Sequence, residues 1–222
     1  LFGDVEHYEG NASLKPEKSN NMNLGVLYDF SFNPDNRFAL IANAFYRHAD
    51  DFIYQRLNNN QSKYVSDNRD GVRSIGGDLD LRYSYKRWFM AGLNATYQSV
   101  KNMQKVERGY TGISPLYKNQ MPNIPYLFGN LDASVIFPEL GGKNNRLNVG
   151  ANLLYVHEFW LYWPGLGSTD ADAEKRKIPT QLSVDANIVY SIANGRYNIA
   201  LEGKNLTDNR LVDNFSLQKP SR

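Results

Sequence analysis

Apolar and polar residues alternate with a period of two along most of this chain, and the i, i+3, i+4 spacing of an amphipathic helix is found nowhere at convincing length. The first run puts Met22, Leu24, Val26, Tyr28, Phe30 and Phe32 in one phase and Asn21, Asn23, Gly25, Asp29 and Ser31 in the other, with Leu27 an apolar intruder. A second carries Phe38, Leu40, Ala42, Ala44 and Tyr46, blurred by Ile41 and Phe45. Leu79, Leu81, Tyr83 and Tyr85 then alternate with Asp78, Asp80, Arg82 and Ser84, and Phe89, Ala91, Leu93, Ala95 and Tyr97 alternate with Gly92, Asn94, Thr96 and Gln98. The second half repeats the pattern in Leu127–Phe137, Leu147–Tyr155, Leu182–Tyr190 and Tyr197–Gly203. The expected fold is all-β, with eight strands of roughly 9 to 11 residues, the length a tilted strand needs to cross a hydrocarbon layer. Strands of soluble sandwiches are shorter, about 5 to 6 residues.

The connections alternate as well. Asn33 to Asn36, Lys86-Arg87, Pro138 to Asn145 and Ala193-Asn194-Gly195 are short and rich in turn formers. Between them lie long connectors over 49–71, 100–124 and 157–179, each mixing charged, aromatic and amide residues. In an up-and-down sheet this interleaving puts every long loop at one end, as in outer-membrane barrels. The repeat of about fifty residues holds two long strands, where a propeller blade holds four short ones. No linker or domain boundary interrupts residues 1–222.

Composition narrows the class. The longest clean apolar run, Phe38 to Ala42, is far too short for a spanning helix, and mean hydropathy is −0.56. A β-barrel escapes that test because its strands alternate lipid-facing and polar residues. With 25 Lys+Arg against 23 Asp+Glu, bulk charge gives no reason to expect nucleic acid as a partner. Cysteine is absent, which removes disulfides, thiolate metal sites and cysteine nucleophiles together. The chain begins at Leu1 with neither Met nor a signal-peptide pattern, so a mature or excised segment is expected.

Two motifs carry a resemblance. Ahead of the first strand stands Asn11-Ala12-Ser13-Leu14-Lys15-Pro16-Glu17-Lys18-Ser19, in which Pro16 fixes an extended backbone and the Lys and Glu side chains are expected in solvent. It resembles the LKPE-x-S signature of TonB-dependent outer-membrane receptors. Near the other end, Asn205-Leu206-Thr207-Asp208 and the closing Gln218-Lys219-Pro220-Ser221-Arg222 are similar to that family's NLTD segment and PGR-like ending, with Ser221 in place of the usual glycine. The resemblance implies a partial barrel: about eight strands, antiparallel and up-and-down, from the C-terminal part of a plugged transmembrane barrel of about 22. It implies location in the bacterial outer membrane. The implied partners are outer-membrane lipid, the receptor's own N-terminal plug domain and remaining barrel strands, the TonB complex, and a scarce nutrient such as an iron chelate, cobalamin or glycan. One further spanning strand normally follows the PGR-like element, so the segment is expected to be incomplete at both ends and unable to close as a monomer.

Against that frame Asp29, Asp78, Asp80, Asp132, Asp185 and Glu202, with Arg82, Arg146 and Arg196, fall on the polar phase and are expected to face the lumen, as a hydrated wall or a plug contact. No carboxylate pair is isolated in an apolar pocket, so no catalytic residue is assigned and no enzyme is expected. His7, His48 and His157 lack ligand spacing, and neither metal nor cofactor is expected. Trp160, Tyr162 and Trp163, with Phe159, crowd one long loop as an interfacial girdle or a ligand-stacking surface; Tyr110 and Tyr117 occupy another as further substrate-binding candidates. Two rival readings stay open at this stage: a passive porin or scaffold barrel, and a soluble adhesin or glycan-binding β-domain whose apolar phase is an inter-sheet core.

Overall fold

The computed structural model describes residues 8–58, 62–107, 111–161, 163 and 177–212. Its strands are β1 (Tyr8–Glu9), β2 (Lys18–Asn33), β3 (Asn36–Asp50), β4 (Phe52–Leu57), β5 (Tyr64–Arg69), β6 (Val72–Tyr85) and β7 (Phe89–Asn102). They continue with β8 (Leu127–Pro138), β9 (Arg146–Val156), β10 (Phe159–Trp160), β11 (Lys177–Ile178), β12 (Gln181–Ile192) and β13 (Tyr197–Gly203). The eight long strands form one antiparallel sheet in the order β13-β12-β9-β8-β7-β6-β3-β2, an up-and-down meander. The short strands belong to the long connectors: β4 and β5 make a hairpin that β1 joins in parallel, and β10 pairs with β11.

Register brings every alternating run into phase. Tyr28 lies opposite Leu40, and the row continues through Leu81, Leu93, Leu131, Leu153 and Val184. One residue along, on the other face, the row reads Asp29, Ala39, Arg82, Gly92, Asp132, Asn152 and Asp185. A slip of one residue at any pairing would put polar groups among apolar ones, which is why alternation specifies register. Met22, Leu24 and Val26 on β2 and Tyr197, Ile199 and Leu201 on β13 are all more than half exposed. An apolar surface this exposed is not half of a sandwich core.

The strands run further than the alternation indicated. β3 and β7 extend to Asp50 and Asn102, inside segments expected to be connectors, and β2 reaches 16 residues. The cause lies on the inner face at this end, where the polar phase turns apolar. Ala49 (1% exposed) sits opposite Val72 (2%), and both are as buried as a globular core. Val72, Val100 and Met121 form the buried cluster, packed round by Phe52, Tyr54, Ile124 and Trp163 from all three long connectors. The connectors therefore fold inward over the sheet, and the apolar area they bury keeps the strand ends paired beyond the alternating stretch.

Candidate functional site

The hydrated face is an ordered wall. Arg37 pairs with Asp29 at 3.1 Å, Arg82 donates from Nε to Asp80 at 3.1 Å, and the Thr96 hydroxyl donates to Asp78 at 2.9 Å. Asp132 leans across Gly92, directly opposite, so closely that a Cβ at Gly92 would lie 2.5 Å from its Oδ1. Asp29, Arg37, Asp80, Arg82, Asn94 and Asp132 line an open concavity of about 640 Å³. Arg37, one residue ahead of the second alternating run, adds a cation to this wall that the alternation alone did not indicate. Arg146 opens β9 opposite Pro138, Glu202 lies opposite Asn187, and Arg196 sits in the turn ahead of β13 with its guanidinium over the Tyr197 ring. Asp185 accepts from the backbone N–H of Asn205 at 2.7 Å and so holds the chain reversal after β13.

Above the wall the three long connectors meet at Arg69, the last residue of β5. Its Nη1 donates to both Glu107 oxygens at 2.6 and 2.5 Å and to Gln104 Oε1 at 3.2 Å. Its guanidinium faces the Trp163 ring at 5.1 Å and the Tyr54 ring at 5.7 Å. Ser114 donates to Glu107 at 2.8 Å, extending the network along the second connector. Arg69 is only 7% exposed, so these charges interact with little screening by solvent.

The aromatic candidates separate. Trp163 joins Arg69 on the inner side. Trp160, on β10, shares a different cavity with Tyr97, Ser99 and Lys101, whose phase on β7 is the apolar, outward one. Lys177 lies 4.9 Å over the Trp160 ring and bonds Glu158 at 3.0 Å. Tyr117 stands in the second connector beneath the Lys118 ammonium at 5.3 Å. Tyr110 and Tyr162 lie outside the described residues. Burial raises the Tyr126 phenol above its ordinary pKa, and the negative charge of Glu158 adds to the shift. The His157 ring nitrogen bonds the Tyr155 hydroxyl at 2.6 Å and His48 faces Asp50 at 3.7 Å; among the described residues no group of three or more potential ligands gathers round a metal position.

Both motifs have structural explanations. Glu17 is not solvated as expected: it accepts from Arg47 and from the Ile53 N–H, and Lys15 exchanges two backbone hydrogen bonds with the Asn68 side chain. The LKPE segment thus clamps the start of β2 to the first connector. Asn205 and Asp208 take positive φ, 50° and 49°, and Asn205 brackets the turn by accepting from the N–H of Asn209 and donating to its carbonyl. Thr207 donates to the Leu182 carbonyl at 2.7 Å, which fastens the turn to β12.

An unbroken meander that is apolar outside, hydrated inside and capped by long connectors at one end is the wall of a transmembrane β-barrel. A family model described as TonB dependent receptor-like, beta-barrel matches residues 1–206, and the chain belongs to that family, whose members lie in the bacterial outer membrane. In fold it is similar to the ferric yersiniabactin uptake receptor FyuA from Yersinia pestis (TM-score 0.60, 18% identity, 87% of this chain and 26% of that one). It is similarly related to the copper transporter OprC (TM-score 0.61, 16% identity, 96% and 30%). The FrpB iron transporter from Neisseria meningitidis, F5-1 variant, is a third such structure (TM-score 0.54, 16% identity, 92% and 29%). The chain therefore spans between 26% and 30% of the length of these three. Among curated proteins none matches.

Proposed function

We propose that residues 1–222 form one continuous C-terminal segment of the barrel of an active outer-membrane transporter. In this reading the receptor captures a scarce nutrient at its long connectors and passes it through a plugged lumen with energy from the TonB complex. The observation that carries it is the convergence of three long connectors on Arg69 above a hydrated wall. Trp163, Tyr117 and the neighbouring Tyr110 and Tyr162 belong to the capture surface, while Trp160 belongs to the membrane-facing girdle. Asp29, Asp78, Asp80, Arg82, Asp132, Arg146, Arg196 and Glu202 face the lumen and its plug, and Asp185 holds the wall's own chain reversal. No bond is made or broken. FyuA, FrpB and OprC are named for ferric yersiniabactin, iron and copper, which favours a metal or metal chelate over cobalamin or a glycan as cargo. The test is to trim 103–124 or 157–179 in the intact receptor and measure ligand affinity and uptake alongside barrel assembly. Weakened binding with normal assembly is expected; unchanged uptake and affinity after both trims would remove these connectors from the capture surface.

A further inference from the structure

Pro16 restricts the residue before it to extended backbone, and an extended residue presents its N–H and its carbonyl to the same side. At Lys15 this two-pronged edge meets the side-chain amide of Asn68: Oδ1 accepts from the Lys15 N–H at 2.7 Å, and Nδ2 donates to the Lys15 carbonyl at 2.9 Å. Nδ2 also donates at 2.7 Å to the carbonyl of Asp51, the positive-φ residue between β3 and β4. Holding all three groups takes one acceptor and two donors, which an asparagine side chain supplies and an aspartate does not. The chain ahead of Lys15 follows β5 as well, with β1 paired beside Tyr64 and Val65 and Asn11 donating to the Ser66 carbonyl at 2.9 Å.

Arg69 is the next residue of β5, and successive side chains of a strand leave it on opposite faces. On its own face Arg69 bonds Glu107 and Gln104 and meets the Trp163 and Tyr54 rings. The two residues that follow are held by the second connector too. Gln104 Oε1 accepts from the Asp70 N–H at 3.2 Å, and the Gly71 carbonyl accepts from the Met103 N–H at 2.6 Å. The end of β5 is therefore gripped by the LKPE segment at one residue and by the second connector from the next. A displacement of β5 by about 1 Å would carry the Glu107 contacts, at 2.6 and 2.5 Å, to the edge of hydrogen-bond range. Arg69 is buried against two rings, which leaves its side chain little room to follow.

We infer that Asn68 is a positioning residue for Arg69: by pairing with the extended Lys15 backbone it sets β5 where Arg69 reaches Glu107 and Trp163, so that the LKPE clamp and the second connector open together. The inference goes beyond the capture reading and concerns how the connectors are coupled, not what they bind. An uptake assay that fails after trimming and an exchange assay that fails here are separate results.

The test is hydrogen exchange in the intact receptor carrying the near-isosteric Asn68→Asp, which keeps an acceptor for Lys15 and sets a carboxylate oxygen against two carbonyls. The Lys15 and Ile53 amides read the clamp, since their acceptors are Asn68 and Glu17. The Ser114, Lys118 and Met121 amides read the second connector, and their acceptors are carbonyls that Asn68 does not touch. Both sets should accelerate about ten- to hundredfold, the consequence of carbonyls losing their donors, while the middle of β6 and β7 is unchanged. Coupling is reciprocal, so Arg69→Ala should also accelerate Lys15 and Ile53. The double variant Asn68→Asp/Arg69→Ala should exchange at Ser114, Lys118 and Met121 no faster than Arg69→Ala alone. Unaltered exchange at those three amides in Asn68→Asp, or multiplied acceleration in the double variant, shows that Asn68 does not act through Arg69 and overturns the inference. Unaltered exchange at Lys15 and Ile53 in Arg69→Ala overturns it even if Asn68→Asp does not assemble.

Discussion

Arg69→Ala in the intact receptor tests whether the long connectors form one body. The substitution removes the two close contacts to Glu107, the bond to Gln104 and the cation faced by Trp163 and Tyr54. Truncating one partner of a buried, hydrogen-bonded charge pair costs about 2–5 kcal/mol. Glu107 keeps 28% of its side chain exposed and is rehydrated in part, which brings the pair's share toward the lower half of that range. Each lost cation–π contact adds about 0.5–1 kcal/mol. A combined cost of about 3–5 kcal/mol, at 1.4 kcal/mol per factor of ten, corresponds to opening of the connectors that is about a hundred-fold to a few-thousand-fold more frequent. The cost falls on local opening because the eight-stranded ladder makes no use of Arg69. Hydrogen exchange reads it at the amides of Ser114, Lys118 and Met121, whose acceptors are the carbonyls of Lys105, Asn102 and Val100. Their exchange should accelerate by that factor while amides in the middle of β6 and β7 are unchanged. Arg69→Lys should fall between, since an ammonium keeps the charge but not the planar guanidinium. Unaltered protection at those three amides, or equal acceleration throughout β6 and β7, would show that Arg69 does not hold the connectors together.

Facing is tested by a pair of neighbours: Leu81→Arg near mid-membrane should cost about 2–4 kcal/mol in reversible unfolding from bilayers, and Arg82→Leu much less; equal costs would invalidate the phase assignment. Two glycines separate backbone crowding from side-chain crowding. A Cβ at Gly129 would sit 2.3 Å from the Asn94 carbonyl oxygen, whereas one at Gly92 meets only the Asp132 side chain. Gly129→Ala should therefore destabilise by about 1–3 kcal/mol and Gly92→Ala by less, in the same unfolding assay.

The fold was legible because its determinant is local. Each strand must be apolar on one face and polar on the other, and this leaves a period-two trace that survives even intruders such as Leu27 and Ile41. The polar wall followed from the same trace, down to Asp80, Arg82 and Asp132. The inward turn of the connectors was harder to see, although Ala49, Val72 and Val100 interrupt the polar phase at one end of three paired strands. That signal becomes visible only once register places Ala49 beside Val72. Arg69 left no trace at all: its partners Glu107 and Trp163 are distant in sequence, and a lone arginine among connector residues looks like any solvated charge. Trp160 and Trp163 look equivalent in sequence, yet Trp160 stands opposite Lys177 in the pairing of β10 with β11 while Trp163 faces Arg69.

The inward cluster of Val72, Val100 and Met121 sets a rule for exchanging recognition surfaces between receptors. A graft cut at the membrane boundary would leave Val72 and Val100 on the host and carry Met121 and Trp163 with the insert, severing a core between two genes. Exchange should succeed when the junctions lie within the strands, below Ala49, Val72 and Val100, so that the cap and the strand ends that seat it travel as one inherited unit.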